Sequence, residues 1–297
     1  MRVFVAGRSG QTAAALAEQA ERAGDIEIIL AGRSELDIRD AASVARQAAA
    51  ARPDVVVNAA AYTAVDKAES EPEAALAVNG QGAANLAGAA AAIGVPLIHL
   101  STDYIFDGTK TEPYVETDAA HPQGAYGRSK LAGERAVAAA TPRHVILRTA
   151  WLYGPFGVNF VKTMLRLAAE GKEPRVVDDQ HGNPTYTPDL AAAILAVARC
   201  IAVGSPRPDL FGVFHLVGPE ATTWYGFACE IMAASRAAGG PAARVTPIPT
   251  SGYPTAAKRP ANSRLATAKI EAVYGLRLPP RAASLAACVR RLYGDRG

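Results

Sequence analysis

The chain has 297 residues, 49% hydrophobic and 20% charged, which is a globular composition with room for one large or two modest domains. Its formal net charge is +3 with acids and bases interspersed, so neither a nucleic-acid nor a membrane partner is expected, and no apolar run approaches the ~20 residues of a membrane span. Cys200, Cys229 and Cys288 are too scattered for a disulfide framework or a Cys-x-x-Cys metal site, the histidines (99, 121, 144, 181, 215) form no His-x-x-x-His pair, and Walker and Gly-x-Ser-x-Gly sequences are absent.

Residues 2–6 read as a strand from the start, without the basic and apolar regions of a secretory leader, so a cytoplasmic protein is expected. The strand runs into Gly7-Arg8-Ser9-Gly10-Gln11-Thr12-Ala13 and an alanine-rich helix to about Ala23, closed by Gly24. Strand, glycine turn and helix in that order are the context of a dinucleotide fingerprint. Gly7 makes the turn, Gly10 admits a pyrophosphate to the backbone, and Ala13 stands in for the third glycine. The helix N-terminus, with Gln11 and Thr12, would face the phosphates. A second strand at 26–30 ends in Ala31-Gly32-Arg33-Ser34, without the acid that an NAD-preferring site uses on the ribose. Arg33 would instead pair with a 2′-phosphate, which favours NADPH and leaves NADH possible; Asp37 and Ile38 would flank the adenine.

Asp40 should cap a helix to about Ala51, followed by a third buried strand at 53–57. Past its end lie Asn58, Ala59, Ala60, Ala61, Tyr62 and Thr63, a run of mainly small side chains where a flat cofactor would pass. Pro72 suits the start of a long helix running to about Ile93, with Asn79 inside it reaching either the site or a structural partner. The fourth strand, 95–100, delivers Thr102 and Asp103 at its tip. Four strand–helix alternations predict a parallel, doubly wound α/β sheet, whose ligands bind at the carboxyl ends of the strands. Gly7, Arg33, Asn58 and Thr102 all fall at those ends.

A polar loop from Asp107 to Gln123 leads into a helix at 126–139, and a strand follows at 145–150 with Trp151 after it. Tyr126 and Lys130 are four apart, hence on one helix face, and an ammonium beside a phenol lowers its pKa towards working pH. Together with Thr102 they form the catalytic candidates. Beyond Gly154 the pattern loosens: helices at 160–169, 188–202, 223–237 and 280–293, a late strand at 211–217 returning to the sheet, and a four-proline stretch, 247–260, ill suited to regular structure. Neither an internal repeat nor a disordered tail is expected. The organisation expected is a dinucleotide-binding domain over 1–150, with returns to its sheet at about 186–217, and a smaller interleaved substrate domain over 151–297.

These residues together resemble the extended short-chain dehydrogenase/reductase superfamily and, within it, the dTDP-4-dehydrorhamnose reductase family. The Tyr126-Gly-x-x-Lys130 and glycine motifs belong to the superfamily at large. Thr63-Ala-Val-Asp-Lys-Ala-Glu69 and Arg259-Pro-x-Asn-Ser-Arg264 are far more specific. The resemblance implies NADPH-dependent reduction of the C4 ketone of a dTDP-sugar. Tyr126 would protonate the C4 oxygen, Lys130 would hold the nicotinamide ribose, and Thr102 would bond the same oxygen. Asp103 and Trp151 would contact the sugar, Arg259 and Arg264 would bind the diphosphate, and Asn159 and Gln180 are weaker candidates. A monomer or homodimer is expected. Some relatives bind magnesium through glutamates at a dimer contact, one of them in the first helix; here that helix has alanines at 13, 14 and 15 and Glu18 as its first acid, leaving magnesium an open question. Other readings are action on a different 4-keto sugar nucleotide, by reduction or epimerisation, and a non-catalytic cofactor-binding subunit.

Overall fold

The computed structural model describes residues 1–202 and 207–293; the ordered tail expected from the sequence concerns 294–297, outside the described residues. Six strands, β1 (Arg2–Ala6), β2 (Glu27–Ala31), β3 (Val55–Asn58), β4 (Leu97–Thr102), β5 (His144–Thr149) and β6 (Gly212–His215), form one parallel sheet in the order β6-β5-β4-β3-β1-β2. The helices are α1 (Gln11–Ala23), α2 (Ala41–Ala51), α3 (Pro72–Leu76), α4 (Gly82–Ala92), α5 (Ala125–Ala140), α6 (Phe160–Ala169), α7 (Thr187–Ala202), α8 (Trp224–Ala237), α9 (Ala268–Tyr274) and α10 (Arg281–Tyr293).

The strands are apolar on both sides because both faces are covered. Side chains alternate across a strand, so Val3, Val5, Val55, Val57, Val145 and Leu147 pack under α1 and α7. Phe4, Ala6, Val56, Leu97 and Ile146 face the opposite way, towards α2 and α4. A third core joins Val161, Met164 and Leu165 of α6 to Phe227 and Ile231 of α8 and Leu285 and Val289 of α10, building a smaller lobe beside the sheet's carboxyl edge.

Local signals decide the ends of these elements. Gly24 ends α1 in the left-handed conformation (φ 74°), and the Asp40 carboxylate accepts from the amides of Ala42 and Ser43 at 3.0 and 3.1 Å. Pro72 occupies the first turn of α3. The helix expected to run unbroken from there is instead divided by a wide π turn, Ala77–Gln81. Within that turn the Asn79 amide donates to the Tyr62 carbonyl (3.1 Å) and to Ser129 Oγ on α5 (2.9 Å), while its oxygen accepts from the Tyr62 amide (2.9 Å). Tertiary hydrogen bonds thus override the local 3.6-residue period. The proline stretch also holds more order than its composition suggests: Thr246–Ile248 pairs in parallel with Arg175–Val177, with Pro247 in an isolated two-strand ladder where its missing amide is tolerated.

The approach of α5 to the tip of β4 needs a glycine. A Cβ on Gly127 would stand 2.2 Å from the Tyr104 carbonyl oxygen, well inside any real contact. Gly127→Ala is expected to cost about 1–3 kcal/mol by overpacking, read as a lower urea midpoint; an unchanged midpoint would show that the helix is free to move away.

Candidate functional site

The chain goes from β1 outward to β2 and returns past it to β3, so the sheet order reverses between β1 and β3, and a crevice opens above their carboxyl ends. Gly7 takes φ 118°, and a Cβ there would press on the Ala59 backbone at 3.2 Å, so this turn requires glycine. Gly10 caps α1 without a side-chain hydrogen bond, and a Cβ on it would meet nothing within 4 Å. The first amides of α1 are therefore approachable by an anion.

Across the crevice, Thr102 ends β4 and faces α5. Thr102, Asp103, Tyr126 and Lys130 line one cavity of about 460 Å³ with Gly10, Gln11, Thr12, Ala59, Ala61, Thr63 and Trp151. Gly7, Tyr62, Arg33 and Asp37 lie outside this lining. Asp37 is engaged by Arg39 at 2.6 Å, Tyr62 donates its hydroxyl to Glu71 at 2.8 Å, and Arg33 is exposed just past β2. Ile38, expected beside the adenine, is buried in the core of the α2 and α4 face, and a Cβ on Gly82 would strike its side chain at 2.5 Å. Its hydrophobic surface is used in packing.

The electrostatics differ from the expectation in one respect. Lys130, buried in α5, donates from Nζ to the Leu100 carbonyl at 2.6 Å. Burial lowers its pKa to about 8, with the Glu134 carboxylate pulling the other way. The Tyr126 phenol is pushed up to about 12 by burial; its hydrogen bond with Thr102 lowers it and the Asp103 charge raises it. The phenol is thus not depressed: burial outweighs the lowering hydrogen bond, and the Lys130 ammonium is turned to a backbone carbonyl. A protonated phenol at neutral pH can donate a proton. Burial likewise raises Asp103 to about 6, against lowering hydrogen bonds from Ser263 and Thr102, and its Oδ1 accepts from Thr102 Oγ1 at 3.0 Å.

Distant elements hold this arrangement. The amide of Ala125, at the start of α5, donates to Glu69 at 2.7 Å, a carboxylate at the positive end of the helix. Two turns beyond Tyr126, Glu134 accepts from Ser101 Oγ at 2.5 Å and from Arg148 at 2.8 and 3.0 Å, all of it buried.

A second cavity, about 490 Å³, lies between the sheet edge and the smaller lobe, lined by Asp66, Tyr104, Phe160, Met164, Arg175, Gln180, Trp224, Tyr253 and Arg259. Tyr104 borders both cavities, and its ring meets the Tyr126 ring edge-on at 5.7 Å. Trp151 has φ 48°, a strained position for so large a side chain, and stacks on Trp224 at 3.5 Å and 6°. Trp224, at the start of α8, also walls the second cavity. Arg264 is not brought there: its guanidinium bonds Asn262 Oδ1 at 2.8 Å and the Thr111 carbonyl, closing the 110–112 loop. Asn159 spends its side chain capping α6. Gln180 lines the cavity and donates to Thr250 at 3.0 Å. Glu18 of α1 is held by Arg22 and by Arg291 (3.0 Å), and among the described residues no cluster of three His, Cys, Asp or Glu is arranged for a metal ion.

Reading the sequence missed Thr149, which pairs in register with Thr102 and lines the first cavity with an unpartnered buried hydroxyl. A polar residue ending an apolar strand at that edge was the available signal. Arg175 carried no local signal, since only the fold brings it to the cavity.

The chain resembles known proteins along nearly its whole length. The model of the family described as RmlD substrate binding domain matches residues 1–293. A dTDP-4-dehydrorhamnose reductase of Sinorhizobium fredii is 50% identical over 279 residues, 94% of this chain and 93% of the relative. One from Escherichia coli is 46% identical over 245 residues, 82% and 81% of the two chains. Among solved structures, a dTDP-4-dehydrorhamnose reductase of Clostridium acetobutylicum superposes with a TM-score of 0.90 at 38% identity, covering 98% of this chain and 99% of that one. Another, from Bacillus anthracis in complex with NADP, superposes with a TM-score of 0.90 at 33% identity over the same shares. No helix among the described residues is long and apolar enough to cross a membrane.

The Asp103 carboxyl generates a pH prediction. Its folded pKa of about 6 exceeds the ordinary 3.8, so below 3.8 both states are protonated and nothing is lost. As pH rises through that window the unfolded chain releases its proton first, and the folded state bears the full cost above about 6. Asp103→Asn is expected to raise stability by about 2–3 kcal/mol at pH 7.5 and by little at pH 3.5. Equal effects at both pH values would contradict a buried, raised carboxyl.

Proposed function

This chain belongs to the RmlD substrate binding domain family, and from that premise we propose that it reduces the C4 ketone of dTDP-4-dehydro-L-rhamnose to dTDP-L-rhamnose with NADPH. The observation that carries this reading is the convergence of Thr102, Tyr126 and Lys130 in one cavity with the start of α1.

The residues fit a nicotinamide dinucleotide. The Gly7 turn and the uncapped start of α1 suit its phosphates, with Gly10, Gln11 and Thr12 beside them. Arg33 suits a 2′-phosphate, with Asp37 nearby. The path over Ala59, Ala61, Tyr62 and Thr63 suits a flat group, and Lys130 and Tyr126 suit the nicotinamide ribose. Gln11 Oε1 and Thr149 Oγ1, buried without partners in a cavity-lining position, are polar atoms of the kind a bound ligand would satisfy. When bound, NADPH supplies the hydride.

As the ketone carbon gains that hydride, the carbonyl π pair moves to oxygen, and the Tyr126 hydroxyl gives its proton there. Thr102, with its hydroxyl turned from Asp103 to the substrate, holds the same oxygen by a hydrogen bond, so charge building on it is met by two donors. The resulting phenolate lies one helical turn from the Lys130 ammonium and regains a proton from solvent. Trp151 and Asp103 border the sugar, and the second cavity takes the nucleotide, with Arg259 at its phosphates. The division into a dinucleotide-binding portion, 1–150 with returns to its sheet at about 186–217, and a mainly substrate-binding portion, 151–297, is part of this proposal. Support comes from the named relatives, reductases of this substrate, and from the NADP in one related structure.

Two outcomes test it. Tyr126→Phe is expected to lower turnover of dTDP-4-dehydrorhamnose by ~10²–10⁴-fold, followed as NADPH oxidation, while NADPH still binds; undiminished turnover would refute the proton-donor role. Arg33→Asp is expected to move the ratio of specificity constants from NADPH towards NADH, and an unmoved ratio would reject the 2′-phosphate contact.

A further inference from the structure

Asp66 and Arg259 stand 193 positions apart in sequence and meet at the second cavity, where Arg259 Nη2 donates to Asp66 Oδ2 at 2.6 Å. The other carboxylate oxygen, Oδ1, accepts from the Ala257 amide at 3.0 Å, so one aspartate grips both the arginine and its loop. The guanidinium also lies 5.8 Å above the Tyr104 ring, the ring that separates the two cavities. Its remaining terminal nitrogen, Nη1, is buried and has no partner within the chain. Asp66 is 48% exposed and Arg259 19%, and a pair open to water on its acidic side contributes about 1 kcal/mol at most. An unpartnered buried cationic donor is unfavourable. The arrangement is therefore poorly explained as a stabilising device and well explained as a guanidinium fixed on one edge and reserved on the other.

We propose that Asp66 is a positioning residue that fixes Arg259 so that its unpartnered edge binds the diphosphate of the sugar nucleotide. The inference rests on the reading of the second cavity given above. A free arginine samples many rotamers, and a bidentate grip on phosphate needs the planar fork presented in one orientation. The carboxylate, the Ala257 amide and the Tyr104 ring supply that orientation before ligand arrives, which removes part of the ordering cost from binding. The Thr63–Glu69 block then serves both cavities, since Glu69 caps α5 while Asp66, in the same block, holds the arginine that opens the second sequence block.

The test is a double-mutant cycle read as dTDP affinity by calorimetry on the NADPH-loaded protein, with KM and kcat for the keto-sugar nucleotide alongside. Asp66→Ala is expected to weaken dTDP about tenfold and to raise KM by a similar factor, with the loss falling on KM rather than kcat. Arg259→Gln is expected to weaken dTDP further, and the double variant no further than Arg259→Gln alone. Asp66→Asn, whose single amide oxygen keeps an acceptor for one of the two donors, should recover part of the affinity and serves in the cycle should the alanine variant not bind NADPH. Binding of dTDP by the Asp66 variants as tight as, or tighter than, the unsubstituted protein would overturn the proposal, since the aspartate would then compete with phosphate for the arginine. Additive losses would overturn it too, by separating Asp66 from Arg259. Failure of the unsubstituted protein to bind dTDP would instead refute the reading of the cavity.

Discussion

The register of α5 against β4 is the constraint on which the site depends. Tyr126, Lys130 and Glu134 follow one another at intervals of four, so they share a face of the helix. That face meets Thr102, the Leu100 carbonyl and Ser101, three consecutive residues of one strand tip. A slip by one residue would break all three contacts at once. The lowest rung is the costliest to disturb, because the Glu134 charge is buried and balanced by Arg148 from β5; removing one member of such a pair typically costs about 3–5 kcal/mol. The ion pair thus ties together the three elements that aim the phenol.

Legibility followed the range of the interactions involved. Gly7, Gly24, Asp40 and Pro72 act within a turn of their own position, and their roles could be read from neighbouring residues. The sheet edge that gathers Gly7, Arg33 and Thr102 could be read as well, because strand and helix alternate so regularly. The state of the phenol could not. It depends first on how deeply the ring is buried, and the Lys130 ammonium is taken by the carbonyl of a residue thirty positions away in the chain. The π turn at Asn79 was hidden for the same reason, since its cause is the Tyr62 backbone and Ser129. Arg264 and Arg259 look alike in sequence, five residues apart in one motif, and only the fold sends one to a loop carbonyl and the other to a cavity.

The two cavities meet at Tyr104. Its amide donates to Thr102 Oγ1 at 3.2 Å, its carbonyl excludes a side chain at position 127, and its ring contacts Tyr126 on one side and the Arg259 guanidinium on the other. One residue therefore touches the strand tip, α5 and the basic loop. A molecule spanning both cavities would feel any displacement of that ring at both of its ends.

The distribution of unsatisfied polar atoms fits this picture. Among the described residues, buried side-chain atoms without a partner include Gln11 Oε1, Asp103 Oδ2, Thr149 Oγ1 and Arg259 Nη1, and each belongs to a residue lining one of the two cavities. Each such atom costs about 1–3 kcal/mol while it stays unpaired, and a fold stable by only ~5–15 kcal/mol cannot carry many of them. Three of these atoms line the first cavity and one the second, with the strained Trp151 backbone beside them. Four more, on His99, Tyr153, Thr187 and His215, lie away from both cavities, so the cost is shared between the cavities and the interior. Ligands that pair the cavity atoms relieve their cost only in the folded state, so the same atoms that weaken the empty protein are the ones through which binding would strengthen it.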